Sequence, residues 1–188
     1  HRAQGTKHPL AEAYGLDAIP LAHANMDAWR DALRQGVKHV HEATGLLVRG
    51  GVDDIWVNPQ GELIVIDYKA TSKDGKIESL DEDWHRGYKR QLEVYQWLLR
   101  RNGFPVSEVG YLVFANADKS RGVFESTLHF TLSLLPYHGS DAWVEEALME
   151  AKLCLERPQP PPAGLSCEYC KYVRNASLQD LQKASGAA

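Results

Sequence analysis

Apolar residues recur along this chain with two different periods, and the switches between them mark out its elements. The stretch up to Pro20 holds no sustained period and carries scattered glycine and proline, so residues 1–21 read as an irregular arm over the surface. From Ala22 to about Leu33, the residues Ala22, Met26, Trp29 and Leu33 fall at helical spacing and predict an amphipathic helix, ended by Gly36. Three extended segments follow: Val37 to His41, Leu46 to Val57 and Glu62 to Ala70. The turn Asn58-Pro59-Gln60-Gly61 joins the last two, which gives a β-meander. Ile64, Ile66 and Tyr68 share one face and Leu63 and Val65 the other, so this sheet is expected to be covered on both sides.

A second helical stripe, Trp84, Tyr88, Gln91, Tyr95 and Leu98, ends at Asn102-Gly103. Val109 to Ala115 and Val123 to Thr131 read as further strands. Ser140 is a candidate N-cap for a helix turning Val144, Ala147, Leu148, Ala151 and Leu155 inward. A proline-rich linker, Pro158 to Pro162, leads to Cys167-Glu168-Tyr169-Cys170 and a polar tail ending in Ala188, so residues 158–188 read as linker, Cys-x-x-C and tail. The whole is an α/β arrangement, a mixed central sheet flanked by helices, in a single domain spanning 1–188.

Composition changes this picture little. No apolar run is long enough to cross a bilayer, and three cysteines cannot all pair within one chain, so the expected setting is the reducing cytoplasm with no membrane partner. The formal net charge of −4 requires that any nucleic-acid contact be local. Local basic clusters exist: Lys69 with Lys73 and Lys76, then Arg86, Lys89 and Arg90, then Arg100 and Arg101. Solvated helix faces would produce most of them. The chain begins at His1, which leaves open a preceding segment with further cysteines.

The chemistry concentrates between Gly50 and Lys69. Side chains alternate along a strand, so Asp67 and Lys69 share a face, and in a hairpin Asp53 can face Asp67. Two carboxylates converging on one ammonium are costly to bury, and a divalent cation offsets that cost while keeping positions open for water and phosphate. An isolated Asp-x-Lys is commonly an exposed ion pair of slight energy. The added Gly-rich turn, the facing Asp53 and a helix carrying Gln91 and Tyr95 shift the reading towards a site. A strand register one residue off would make Asp54 the ligand instead, but Asp53 has the parity of Ile55 and Val57. A glutamine within an apolar stripe needs partners, and the acid–lysine cluster offers them to Gln91.

Gly51-Val52-Asp53, Asp67-Tyr68-Lys69 and the Gln91-x-x-x-Tyr95 helix, in that order, resemble the successive motifs of RecB-type nucleases in the PD-(D/E)XK superfamily. The resemblance is good over about residues 36–115. It implies a restriction-endonuclease-like core and a metal-dependent deoxyribonuclease. It also implies that Asp53, Asp67 and the Tyr68 backbone carbonyl bind Mg²⁺ or Mn²⁺, that Lys69 assists the attacking water, and that Gln91 and Tyr95 organise the site or contact DNA. Relatives often add an upstream histidine as a ligand; His23, His39 and His41 are candidates and His41 is preferred. Cys167 and Cys170 are candidate cluster ligands, but the chain as given supplies too few sulfurs for an iron–sulfur cluster or zinc. The expected substrate is single-stranded DNA or duplex ends, cut exonucleolytically in repair, recombination or defence. Any helicase or other repair or defence partner would be a separate chain, since no phosphate-loop motif occurs here. A catalytically silent DNA-binding or assembly module, and a restriction-type endonuclease, are the alternatives on the same fold.

Overall fold

The computed structural model describes residues 1–120 and 126–185, and side chains as far as 178. Contacts gather the chain into two units, His1–Met149 and Glu150–Ala188. Among the described residues no helix is long and apolar enough to cross a membrane.

The first unit is built on a five-stranded sheet. In chain order its elements are α1 (Pro9–Ala13), β1 (Ile19–Pro20), α2 (Met26–Arg30), β2 (Val37–His41), β3 (Leu46–Gly50), β4 (Asp54–Val57), β5 (Leu63–Thr71), α3 (His85–Arg101), β6 (Val109–Ala117), β7 (Phe130–His138) and α4 (Trp143–Leu155). The sheet order is β1-β4-β5-β6-β7, with β5 and β6 parallel and the other pairs antiparallel. Helix α3 is the crossover that the parallel pair requires. The tight β4–β5 turn is closed by Asn58, whose Oδ1 accepts from the Gln60 and Glu62 N–H groups at 3.1 and 2.8 Å.

The sheet is covered on both faces, as the runs of apolar residues in β4 and β5 require. On one face Ile55, Leu63, Val65, Leu112 and Phe114 pack with Leu92, Tyr95 and Leu98 of α3. On the other, Trp56, Ile64, Ile66, Val113 and Leu134 pack with Ala11 and Ala18 of the N-terminal segment. That segment is therefore not an irregular arm: it forms α1 and β1, and Arg2 pairs with Asp54. Its elements are too short to show a period, and docking stabilises them rather than intrinsic propensity.

Three other expectations change. The first helix is only Met26–Arg30, because Met26 and Trp29 are buried while Leu33 is 87% exposed. The span Leu46 to Val57 is two strands. It breaks at Gly51-Val52-Asp53, and β3 pairs with β2 in a separate two-stranded sheet. The break is tertiary in origin: a Cβ on Gly51 would lie 2.4 Å from Ala32 Cβ and 2.5 Å from its Cα, and one on Gly50 would lie 2.5 Å from the Tyr95 ring. Gly51→Ala must push the backbone at Ala32 aside and is expected to cost about 1–3 kcal/mol, read as a lower denaturation midpoint in urea. Finally, the last sheet strand is Phe130–His138; of the strand expected at Val123 to Thr131, residues 123–125 lie outside the described residues.

Helix α4 begins three residues after Ser140, and Val144 is its buried anchor, while Ala151 and Leu155 are exposed. In the second unit the expected polar tail is helical: α5 runs Glu168–Ser185. Tyr169, Tyr172 and Val173 fall at helical spacing along it, and all three are exposed.

Candidate active site

Asp67 and Lys69 lie on β5 with side chains directed to the α3 face, where strand alternation puts them after Leu63 and Val65. Asp67 is 2% exposed. Its Oδ2 lies 2.6 Å from Lys69 Nζ, a buried ion pair. Burial raises the Asp67 pKa above the usual carboxylate range, and the nearby Asp53 charge adds to this, while Lys69 opposes it.

Lys69 is held on three sides. Besides Asp67, its Nζ donates to Gln91 Oε1 at 2.6 Å and lies 4.5 Å from the centre of the Tyr88 ring. Gln91 Nε2 in turn donates to the Tyr95 hydroxyl at 2.8 Å, so one helical turn of α3 passes the contact on. Tyr95 is itself buried, and burial raises its pKa, which keeps the phenol neutral at ordinary pH. Its ring lies against Gly50, which has no Cβ to obstruct it. Gly50 thus lets the chain pass close to α3, and Gly51 lets it pass close to Ala32, just before it delivers Asp53.

Asp53 stands where β4 begins. Its Oδ2 accepts from the Tyr68 N–H at 2.8 Å, which ties it to β5 between Asp67 and Lys69. Asp54 points the other way. It shares the opposite face with Trp56, whose Nε1 donates to its Oδ2 at 3.0 Å, and Arg2 occupies Oδ1. The register that made Asp53 the inward carboxylate is the one the structure adopts.

The three motifs therefore come together around one carboxylate pair. A family model described as the PD-(D/E)XK nuclease superfamily matches residues 4–174, nearly the whole chain. The chain belongs to the PD-(D/E)XK nuclease superfamily. Members of this superfamily generally hydrolyse phosphodiester bonds and use Mg²⁺ or Mn²⁺. A curated protein of Chlorobaculum tepidum, named alpha-1,4-glucan:maltose-1-phosphate maltosyltransferase, is 28% identical over 171 residues, which make up 90% of this chain and 20% of that protein. The chain thus spans a fifth of that relative's length. The crystal structure of SSO0001 superposes with a TM-score of 0.38 and 24% identity over 66% of this chain and 48% of that one.

The donor set suits the hard cations of the superfamily. Asp53 and Asp67 offer carboxylate oxygens, and a cation held by both would offset the cost of keeping the Asp67 carboxylate buried near a second one. The candidate histidine is not brought to the cluster. His41 is 6% exposed, with Nδ1 2.8 Å from Thr44 Oγ1 and Nε2 2.8 Å from Glu145 Oε2. His39 lies edge-on to Trp97, and His23 stacks on Trp29. These are packed histidines whose β-strand or loop position, not a ligand role, explains their place in the pattern.

In the second unit Cys167 stands just before α5, and its Sγ accepts from the Cys170 N–H at 3.5 Å. That backbone contact lowers the Cys167 pKa, whereas Cys170 is raised by its neighbour. Both thiols are free, and no group of three or more His, Cys, Asp or Glu side chains able to hold a metal forms among the described residues. Sequence reading passed over Asn116, a polar residue closing the apolar run of β6. Its amide bonds the backbone of Lys73 and Gly75. The logic that singled out Gln91, a buried amide needing partners, applies to it equally.

Proposed function

We propose that this chain is a divalent-metal-dependent deoxyribonuclease that hydrolyses phosphodiester bonds at Asp53, Asp67 and Lys69, working on DNA ends or single strands in repair, recombination or defence. The observation that carries the reading is the Asp67 carboxylate, buried beside Lys69 and with Asp53 close enough to raise its pKa. A lone structural ion pair would not place a second carboxylate against the first.

Asp53, Asp67 and the Tyr68 backbone carbonyl would hold Mg²⁺ or Mn²⁺. Such a cation acidifies water and neutralises charge gathering on the phosphate. The chain supplies the rest. Lys69, kept in place by Gln91 and the Tyr88 ring, presents an ammonium with little freedom to reorganise, able to orient the attacking water and to balance negative charge as the phosphate is attacked. Gln91 and Tyr95 hold that ammonium from behind, and their neutral state means they add no competing charge. His41 does not enter, since both ring nitrogens are engaged by Thr44 and Glu145. The maltosyltransferase name belongs to a protein of which this chain spans a fifth, and glycosyl transfer has no part in this reading.

The preference for ends is tested with matched linear and covalently closed circular DNA, single-stranded and duplex, incubated with Mn²⁺. The expected outcome is degradation of linear substrates with circular ones spared. Rapid linearisation or fragmentation of closed circles would replace the exonuclease with an endonuclease on the same site.

A further inference from the structure

The segment that follows β5 carries a second, independently held lysine. Beyond Thr71 the chain turns back over the start of α3, and Asn116 of β6 fixes it: Lys73 N–H donates to Asn116 Oδ1 at 2.8 Å, and the Asn116 amide donates to the carbonyls of Lys73 at 3.0 Å and Gly75 at 2.7 Å. Ile77 and Leu80 are buried and anchor the same segment further on. This is a built loop, not a loose connection.

Lys73 Nζ lies 4.8 Å from the centre of the Trp84 ring, as Lys69 Nζ lies 4.5 Å from that of Tyr88. Trp84 and Tyr88 are one helical turn apart and meet edge to face at 5.7 Å. Two lysines four residues apart are thus seated on two rings four residues apart. Lys73 is exposed and forms no ion pair among the described residues. Of the acids beside it, Asp74 pairs with Lys119 at 3.1 Å and Glu78 with Lys76 at 3.8 Å, while Glu82 lines the same region. Beside it is a cavity of about 180 Å³ lined by Lys73, Lys76, Trp84 and His85 together with the acids Asp74, Glu78 and Glu82. His85 is 1% exposed, and neither of its ring nitrogens, nor Trp84 Nε1, finds a partner among the described residues. Lys73 thus presents an exposed ammonium held over a ring, with no carboxylate paired to it among the described residues.

We propose that Lys73, seated on Trp84, binds a backbone phosphate of the same nucleic-acid strand whose scissile phosphate lies at Lys69. This rests on the nuclease reading of the Asp67–Lys69 site. Four residues of extended chain reach at most about 13 Å, and a duplex strand carries one phosphate per about 3.4 Å of its axis, so the contacted phosphate lies within about four nucleotides of the cut. Cation–ring seating lowers the entropy that a free lysine would lose on binding and fixes the path of the strand past the site.

The test measures binding of a single-stranded oligonucleotide by fluorescence anisotropy across a salt series, in an Asp67→Asn background so that no strand is cut. Lys73→Gln is expected to weaken binding about three- to tenfold at low salt and to reduce the slope of log affinity against log salt by about 0.7, while Lys7→Gln, whose ammonium pairs with Asp17 at 2.7 Å, leaves both unchanged. Neutral methylphosphonate linkages are then placed one at a time. One position within four nucleotides of the cut weakens the Asp67→Asn protein, and the protein also carrying Lys73→Gln is indifferent to that position. Binding and slope unchanged by Lys73→Gln in a protein that binds DNA overturn the Lys73 contact and leave the nuclease reading standing. A parent protein that binds no oligonucleotide overturns both.

Discussion

Asp67→Asn is expected to make the metal-free protein more stable while removing its response to divalent cations. Burial raises the pKa of Asp67 in the folded state, and the Asp53 charge adds to it against the pull of Lys69. A raised carboxyl pKa means that the fold favours the protonated acid: its stabilising contribution is complete below the ordinary carboxyl value of 3.8 and is lost as pH rises through the folded value. At neutral pH the ionised group is therefore a burden on the fold, and a neutral amide of the same shape relieves it. A cation bound by the parent relieves it too, raising stability by about 2.7 kcal/mol at a hundred times its dissociation constant. Thermal melting with EDTA, Mg²⁺ and Mn²⁺ checks both halves. The substituted protein should melt higher than the parent in EDTA, show no rise with metal, and cleave at least about a hundredfold more slowly. A parent indifferent to metal at millimolar concentration would remove Asp67 from any cation site.

Lys69→Ala should act on stability in the opposite direction. Removing the ammonium leaves Asp67 without the cation it pairs with and strips Gln91 Oε1 of its donor in a partly buried site, a loss of about 1–3 kcal/mol. Cleavage should fall about 100- to 1000-fold, the range observed when one oriented donor is taken from a charge-stabilising site. Lys69→Arg is not expected to rescue it, since a planar guanidinium does not fit the point contact between Asp67, Gln91 and the Tyr88 ring. Urea unfolding beside single-turnover cleavage separates the two effects. A Lys69→Ala protein as active as the parent would assign the lysine to structure alone.

The parts of this molecule visible in the sequence are those set by local period and by buried polar residues. Val65, Asp67 and Lys69 alternate as a strand must, and Gln91, placed in an apolar stripe, does find the lysine and tyrosine that its burial demanded. The parity argument for Asp53 over Asp54 also agrees with the structure, because Ile55 and Trp56 belong to opposite cores. What stayed hidden depends on distant contacts. The break at Gly50-Gly51 follows from Ala32, nineteen residues before Gly51, and from Tyr95, far later; continuous β propensity from Leu46 to Val57 conceals it. The N-terminal segment is ordered through Ala11, Ala18 and Arg2, single contacts with no period. His41 looked like a ligand because a histidine on a strand carries no sign of whether Thr44 and Glu145 or a metal will face it. Leu33 fitted a helical stripe, but the helix stops at Arg30 and leaves it in solvent.

End-labelled single- and double-stranded DNA incubated with the parent, Asp67→Asn and Lys69→Ala proteins in Mg²⁺, Mn²⁺ or EDTA puts the proposed site to the most direct trial. Cutting by the parent that needs metal, vanishes in EDTA and is lost in both substituted proteins is the expected result. DNA bound by all three but cut by none, or cutting that survives both substitutions, would contradict a nuclease centred on Asp67 and Lys69.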